Sequence, residues 1–264
     1  DICFHEQPRA VTDRGDRIAI GRFALQPQGV AGKGVMRLDL WNAEAHGSYE
    51  TPAGKTTWRS FTHAKDLFTV IELNEPAGAT PAKIVFQHEP AVPARAAYHH
   101  EARPAHERNP DATFGETDGV NWCLQVFKAG GGYVVAWAEK TLSPGHRLLF
   151  FTVDYVPKGT PTTDQAVAEI QANLRADFDD LVASHRAWWH DYYPKSFLSI
   201  PDARMESFYW IQMYKLASAT RADRPAIDLM GPWFHRTPWP HIWWNLNIQL
   251  TYWPVYAANH LGIG

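Results

Sequence analysis

The sequence predicts a multidomain β + α protein: an antiparallel β-sandwich, then a helical connector, then the first helices of a helical domain. Two observations support this order. Residues 17–157 alternate short apolar runs with Gly and Pro, which is typical of strands and turns. After Pro157, apolar residues recur at spacings of three and four, which is typical of amphipathic helices. We therefore expect the sandwich over residues 1–160, the connector over 161–198 and the helical domain over 199–264.

The candidate strands lie between residues 18 and 155. Gly130, Gly131 and Gly132 separate two of them and supply the positive φ angles that a hairpin loop requires. Residues 90–117 show no periodicity, so we expect a long excursion between strands there. The candidate strands are residues 18–25, 35–41, 68–73, 83–88, 121–128, 133–139 and 148–155.

Three helices are expected after the sandwich. The first should run without interruption over residues 163–193, the second over 201–220 and the third over 251–260, preceded by an extended segment. The last helices have apolar faces for which the sequence offers no partner. We therefore expect the chain to be a fragment that carries only the first part of a helical barrel.

Composition excludes several classes of protein. The formal net charge is -3, with 25 basic and 28 acidic residues in 264, which gives no global field to recruit nucleic acid or an anionic membrane. Cys3 and Cys123 are too few for a disulfide framework, and no stretch approaches the roughly 20 apolar residues of a membrane span. No phosphate-cradling glycine loop or Ser-His-Asp signature is present, and we expect no cofactor. Oligomeric state stays open.

Residues 233–261 hold the most informative pattern, because aromatic rings alternate there with amide and imidazole side chains. Such a segment is too aromatic for an ordinary surface and too polar for a plain core, so it predicts the lining of a polar pocket. About half of its five tryptophans should fill the core, and the rest could stack on sugar rings. The candidate substrate-binding residues are Trp233, His235, His241, Trp243 and Trp244; the other two tryptophans are Trp239 and Trp253.

Asn245 and Asn247 are the candidate catalytic residues. In an extended segment residues two apart point the same way, so both amides would face one pocket. Each amide offers two donors and an acceptor, enough to orient a water molecule or a sugar hydroxyl. The alternative left open is that one of the two caps the following helix.

The run from Asn245 to Pro254, followed by Ala258 and Asn259, resembles the Asn-x-Asn-x-Gln-x-Asn-Tyr-Trp-Pro signature of glycoside hydrolase family 95. The resemblance extends over most of the chain and is densest in this run. Residues 36–43, 49, 57–61 and 66–68 resemble strands of that family's amino-terminal sandwich, and residues 185–189, 201–202 and 231–233 resemble the start of its catalytic barrel.

The resemblance implies an inverting hydrolase of α-linked L-fucose or a related sugar such as L-galactose, built from a β-sandwich and an (α/α)6 barrel. It implies that Asn245 and Asn247 orient the attacking water, while later barrel helices supply a general-acid Glu and an assisting Asp. An oligosaccharide or polysaccharide substrate and a periplasmic or extracellular location are expected on the same ground. Trp243 and Thr251 depart from the signature, which commonly has His and Asn at these positions.

Two other functions stay open. A glycoside phosphorylase of similar architecture would use phosphate in place of water, and basic residues should line its site; His235 and Arg236 keep this alternative open. A non-catalytic protein would only bind the glycan. A metal site is not expected, because the densest cluster of metal-binding residue types fits no zinc spacing. That cluster is His99, His100, Glu101, His106 and Glu107.

Overall fold

The structure, a computed structural model, describes residues 3–5, 17–100 and 105–264. They form two compact units. The first, called the sheet unit, comprises Arg22–His88 and Asn109–Trp189. The second, called the helical unit, comprises the described residues of Asp1–Gly21, Glu89–Arg108 and His190–Gly264. The predicted domain boundaries at residues 160 and 198 stay predictions.

The strands of the described residues are β1 (Cys3–His5), β2 (Arg17–Ala19), β3 (Gly21–Gln26), β4 (Gly34–Asp39), β5 (Glu44–Thr51), β6 (Gly54–Thr62), β7 (Phe68–Asn74), β8 (Lys83–His88), β9 (Thr113–Thr117), β10 (Val120–Val126), β11 (Gly132–Ser143) and β12 (His146–Val156). Eight of them form one sheet in the order β4-β5-β6-β7-β12-β11-β10-β9, in which all neighbours are antiparallel. β3 pairs with β8 and β1 with β2 in two small sheets.

The helices are α1 (Ala94–Tyr98), α2 (Asp164–Arg175), α3 (Phe178–Tyr192), α4 (Ala203–Ala219) and α5 (Leu246–Ala257). Short 3-10 turns lie at Ala105–Glu107, Tyr193–Lys195 and Leu261–Ile263. None of the helices in the described part of the chain is long and apolar enough to cross a membrane.

One face of the eight-stranded sheet is covered by α2 and the start of α3. Ala166, Val167 and Ile170 of α2 join Phe150 and other apolar strand residues in one buried cluster. Burying a side chain such as Ile170 completely contributes about 1.5–3 kcal/mol. The predicted connector therefore begins as a layer of the sheet unit.

The small sheet of β3 and β8 belongs to the opposite layer of the sandwich. Phe23 of β3 lies 4.5 Å from Phe151 and 5.7 Å from Trp137 between ring centroids, and Phe86 of β8 lies 5.1 Å from Trp137. Because Phe150 and Phe151 are consecutive in β12, they point to opposite faces. The predicted antiparallel sandwich is confirmed.

Most of the predicted elements are found with small shifts, including α4 and the hairpin at Gly130 and Gly131, where φ is 94° and 76°. The single helix predicted over residues 163–193 is wrong. The chain leaves helical geometry at Ala176, and Asp177 then accepts the N–H groups of Asp179 and Asp180 at 2.9 and 3.2 Å. This is the contact of an N-cap residue, so Asp177 starts a new helix.

The expected excursion over residues 90–117 also contains regular structure, namely α1 and β9. Residues 18–25 form two strands rather than one, because β2 pairs with β1 whereas β3 pairs with β8. The (α/α)6 barrel stays a prediction.

Glu44 connects α3 to the sheet through a buried charge cluster. Its side chain is fully buried, and its two oxygens accept hydrogen bonds from Nε and an Nη of Arg186 at 2.6 and 2.9 Å. His46 Nε2 lies 3.1 Å and an Nη of Arg59 3.7 Å from the same carboxylate. Burial alone would raise the pKa of Glu44, but the hydrogen bonds and charge of Arg186, with Arg59 and His46, outweigh it and lower that pKa. The carboxylate is therefore ionised at neutral pH.

His185, the neighbour of Arg186 on α3, is also fully buried. Its Nε2 donates to the Asn42 carbonyl at 2.9 Å, and its ring stacks on Phe61 at 4.5 Å between centroids. Burial lowers the pKa of His185 to about 4. The imidazole is therefore mostly neutral in the folded protein above about pH 4.

We predict that the free energy of unfolding falls as pH is lowered from 6.5 to about 4, because His185 takes up a proton near its ordinary pKa of 6.5 only when unfolded. The loss attributable to His185 should be about 2–3 kcal/mol. Denaturant unfolding at pH 7 and pH 4.5 measures it. The variant His185→Gln, which retains an N–H donor for Asn42, should lose distinctly less stability over this interval than the wild type. Equal losses would contradict the assignment.

A second prediction concerns glycines that face tryptophans across the sheet. Gly115 of β9 pairs with Trp122 of β10, and a Cβ added at Gly115 would lie 2.3 Å from the Trp122 ring. We expect Gly115→Ala to destabilise the protein by about 1–3 kcal/mol through overpacking. Gly32→Ala is the control, since its Cβ would meet its nearest atom at 3.5 Å. Thermal unfolding of both variants measures the difference, and similar midpoints would argue against close Gly-Trp contact.

Candidate functional site

Residues 220–245 connect α4 to α5 without a helix or strand of their own, and a buried ion pair secures this connection. Oδ2 of Asp228 lies 2.9 Å from Nε of Arg17 in β2, with both side chains almost completely buried. Oδ1 of Asp228 accepts the N–H of Met230 at 2.9 Å. Burial raises the pKa of Asp228, and the positive charge of Arg17 opposes this rise.

The sequence analysis did not identify Asp228, although an isolated carboxylate in the apolar run Ile227–Met230 was a usable signal. It also gave no role to Tyr252, whose hydroxyl accepts the N–H of Ile227 at 3.1 Å and lies 3.3 Å from the Thr220 hydroxyl. Tyr252 thus holds α5 against the start of this connection and against the residue that precedes Asp228.

Asn245 and Asn247 do not lie on an extended segment. Asn245 is the N-cap residue of α5 and has helical φ and ψ angles of -110° and -52°, and Asn247 lies in the first helical turn. Residues two apart on a helix point about 200° away from each other, so the expected convergence of the two amides from an extended strand is wrong. Both residues are exposed. The Asn245 side chain makes no capping hydrogen bond, and its amide is available to a ligand.

The tryptophans of this segment are more exposed than expected. Exposed fractions are 51% for Trp233, 52% for Trp239, 78% for Trp244 and 62% for Trp253. Trp243 is half-buried and packs on Trp239 with ring centroids 4.3 Å apart. The expectation that about half of the five fill the core is therefore wrong, and large aromatic surfaces are available in the helical unit.

The two histidines predicted to bind the substrate differ in their surroundings. His235 is exposed, as is its neighbour Arg236, whereas His241 is half-buried with its ring centroid 6.2 Å from that of Trp243. The backbone carbonyl of His241 accepts the N–H of Leu229 at 3.4 Å. His241 is thus part of the connection that Asp228 anchors, while His235 is directed to solvent.

Two helices of this unit expose apolar side chains. On α5, Leu246, Leu250 and Trp253 are 62%, 45% and 62% exposed and share one face, since they are spaced by four and three residues. On α4, Met205 and Phe208 are 55% and 57% exposed. Single exposed apolar residues are ordinary, but a continuous stripe on a helix is typical of a face that packs on another element.

Within the described residues, no group of three or more His, Cys, Asp or Glu side chains could hold a metal ion. Of the cluster singled out in the sequence, Glu101 lies outside the described residues. His99 and His100 follow the end of α1, and His106 lies in the 3-10 turn Ala105–Glu107.

Ser184, His63 and Asp66 of the sheet unit lie as close together as the members of a Ser-His-Asp catalytic triad. His63 Nε2 lies 2.8 Å from the Ser184 hydroxyl, and His63 Nδ1 lies 2.9 Å from Oδ2 of Asp66. The Ser184 hydroxyl, however, donates to the Leu181 carbonyl at 3.0 Å, so it accepts the hydrogen of Nε2. A general base must instead accept the serine proton. The arrangement therefore connects α3 to the β6-β7 turn and does not activate Ser184.

No protein-family model matches the chain, and no curated protein matches it in sequence. Among solved structures, a chain described as "Putative kojibiose phosphorylase from human microbiome" is similar, with a TM-score of 0.51 and 10% sequence identity. The similarity covers 85% of this chain and 36% of that chain. The protein therefore spans little more than a third of the length of its structural neighbour. At this identity the likeness establishes a shared fold.

We predict effects on stability of different size at the two adjacent tryptophans. Trp244→Ala should change the free energy of unfolding by less than about 0.5 kcal/mol, because the ring is mostly exposed. Trp243→Ala should cost about 2 kcal/mol, because it removes a half-buried ring packed on Trp239. Denaturant unfolding of both variants measures the difference. A larger loss for Trp244→Ala would mean that its ring is a packing residue and not a free surface.

Proposed function

We propose that this chain belongs to a carbohydrate-active enzyme that cleaves glycosidic bonds, and that residues 233–253 form part of its sugar-binding surface. The observation that carries the proposal is the exposure of Trp233, Trp239 and Trp244 in the segment that leads to the amide-bearing start of α5. Aromatic faces suit the C–H faces of sugar rings, and amides suit their hydroxyls. The fold shared with a structure described as a kojibiose phosphorylase supports the same class.

The proposed reaction is inverting hydrolysis. Water attacks the anomeric carbon while the bond to the leaving oxygen breaks; a base takes a proton from the water, and an acid protonates the leaving oxygen. The resemblance to glycoside hydrolase family 95 implies that Asn245 and Asn247 orient the water. Because the two amides diverge on α5, we assign the water to Asn247 and a sugar hydroxyl to Asn245. The acid and the base-assisting carboxylate of that family correspond to no residue in this sequence.

The proposed substrate is an oligosaccharide or polysaccharide with α-linked L-fucose or L-galactose. Trp243 and Thr251 replace the His and Asn that the family commonly has, so contacts to sugar hydroxyls differ from the family pattern there. Because Trp243 is half-buried against Trp239, its effect on recognition is to shape the surface. The choice between the two sugars therefore depends on the remaining polar groups, including His235 and His241.

A second candidate is a glycoside phosphorylase, favoured by the structural neighbour and by the exposed Arg236 beside His235. In the described part of the chain, the N–H groups of Leu246 and Asn247 donate no hydrogen bond, and free N–H groups at a helix start suit an anion. Phosphate would then replace water as the attacking group. The barrel that both candidates require would cover the exposed apolar stripe of α5.

The test is an assay of the full-length protein on α-L-fucosides, α-L-galactosides and kojibiose, with and without inorganic phosphate. Hydrolysis gives free sugar of inverted anomeric configuration in either buffer, whereas phosphorolysis gives a sugar phosphate only when phosphate is present. We expect Asn247→Ala to lower kcat by about a hundredfold or more with little change in KM, because it removes orientation of the water and leaves the sugar contacts intact.

Gln249→Ala is the matched control, an exposed amide on the same helix with no assigned role. It should retain kcat within a few-fold. Full activity in Asn247→Ala would remove the proposed role of the pair. Glycan binding with no cleavage of any substrate, unchanged in both variants, would favour a non-catalytic binding protein.

A further inference from the structure

One end of the eight-stranded sheet carries a groove with a volume of about 550 Å³, here called the β4-β7 groove. This volume lies within the roughly 300–1,000 Å³ of typical ligand sites. Nine of its twelve lining residues lie on one face of four adjacent strands. They form the cross-strand rows Arg37, His46, Arg59, Glu72 and Val35, Ser48, Thr57, Asn74, with Lys55 beyond the second row. Met36, Gly47 and Trp58 form the row between these two.

Arg59 and Glu72 of the first row are held in place by ion pairs. Arg59 Nε donates to Oε2 of Glu72 at 2.7 Å, and His146 Nε2 lies 2.8 Å from the other oxygen of Glu72. The Arg59 guanidinium also lies 5.2 Å from the centroid of the Phe178 ring. These contacts occupy the carboxylate of Glu72, and Arg186 occupies that of the neighbouring buried Glu44. The floor is therefore ordered before any ligand arrives.

Two cations of the groove have no such partner. Within the described part of the chain, neither Arg37 nor Lys55 forms an ion pair, although Glu50 is the cross-strand neighbour of Lys55. Both cations are exposed. The groove thus has a surplus of positive charge that no carboxylate of its own compensates.

Neutral hydrogen-bonding groups accompany these two cations: Ser48 and Thr57 lie between them, and Asn74 lies beside Thr57 on β7. The side chains of Ser48, Thr57 and Asn74 make no hydrogen bond to other described residues. They can therefore donate to and accept from a ligand. The Cα atoms of Arg37 and Lys55 are two strands and four residues apart, about 16 Å by ordinary sheet spacing. A ligand that reaches both cations is longer than a single sugar ring.

We propose that the β4-β7 groove binds an acidic oligosaccharide, whose carboxylate or sulfate groups pair with Arg37 and Lys55 and whose hydroxyls bind Ser48, Thr57 and Asn74. Arginine and lysine form their strongest hydrogen bonds with anionic oxygens. Nucleic acid fits less well, because the chain has a net charge of -3 and the groove holds only two uncompensated cations. The inference stands apart from the proposed cleavage reaction, because the groove consists only of residues between Val35 and Asn74.

The test is calorimetric titration of the full-length protein with trigalacturonate, a sulfated chondroitin tetrasaccharide, neutral maltotriose and a short single-stranded DNA. We expect one of the two acidic oligosaccharides to bind, and added salt to weaken its binding. Arg37→Met and Lys55→Met should each raise its Kd about tenfold. Lys83→Met, an exposed lysine of the same unit outside the groove, should leave Kd unchanged.

The location is tested by acetylation of lysines with and without the bound oligosaccharide. Lys55 should be protected and Lys83 should not, as mass spectrometry of the modified peptides would report. Four results would overturn the proposal: no binding of either acidic probe, equal binding of maltotriose, tighter binding of DNA, or an unchanged Kd when Arg37 and Lys55 are both replaced. Preference for carboxylate or sulfate among the two acidic probes identifies which anion the groove takes.

Discussion

Burial of the central strand β12 on both faces is the constraint from which the layers of the sheet unit follow. Residues 148–153 of this strand are apolar at almost every position, so neither face of the strand can remain in water. Phe150 packs in the cluster that includes α2, and Phe151 packs on Phe23 of β3. A single run of sequence therefore requires a helical layer on one side and a second sheet on the other. β11, its neighbour, is similarly buried and extends the same requirement across the sheet.

Charged side chains replace apolar ones on the sheet where this apolar core ends. Toward β4 and β5 the helix-side face changes from Phe61 to Arg59 within two residues of one strand. A buried carboxylate such as Glu44 must be compensated in place, and Arg186 does so from α3 while Arg59 and His46 contribute from the sheet. The cluster thereby fixes the position of α3. Beyond it the strand face lies open and polar, which is the physical origin of the β4-β7 groove.

Periodicity was sufficient to predict the sandwich and α4, because strands buried on both faces and amphipathic helices have distinct patterns. It failed at boundaries where a polar side chain competes with the backbone. Asp177 caps the start of a new helix, although the apolar stripe continues across this position without interruption. The spacing of apolar residues therefore could not predict the break. At the candidate site the sequence identified the aromatic residues but did not predict that most of their rings are exposed. The pair Arg17 and Asp228 joins residues more than two hundred positions apart, and local patterns in one sequence contain no information on such contacts.

The position of Asn245 and Asn247 on a helix changes what the proposed mechanism requires of them. On an extended segment the two amides would bind the same water. On α5 they face different directions, so a ligand at the start of the helix can reach only one amide together with the N–H groups of the first turn. Such donors stabilise a negative charge better than they orient a neutral water. Hydrolysis therefore needs a carboxylate to activate the water, whereas phosphate arrives already charged and needs only to be held. The two candidate reactions thus differ in what must surround the start of α5: an acidic neighbour for water, or additional cations such as Arg236 for phosphate.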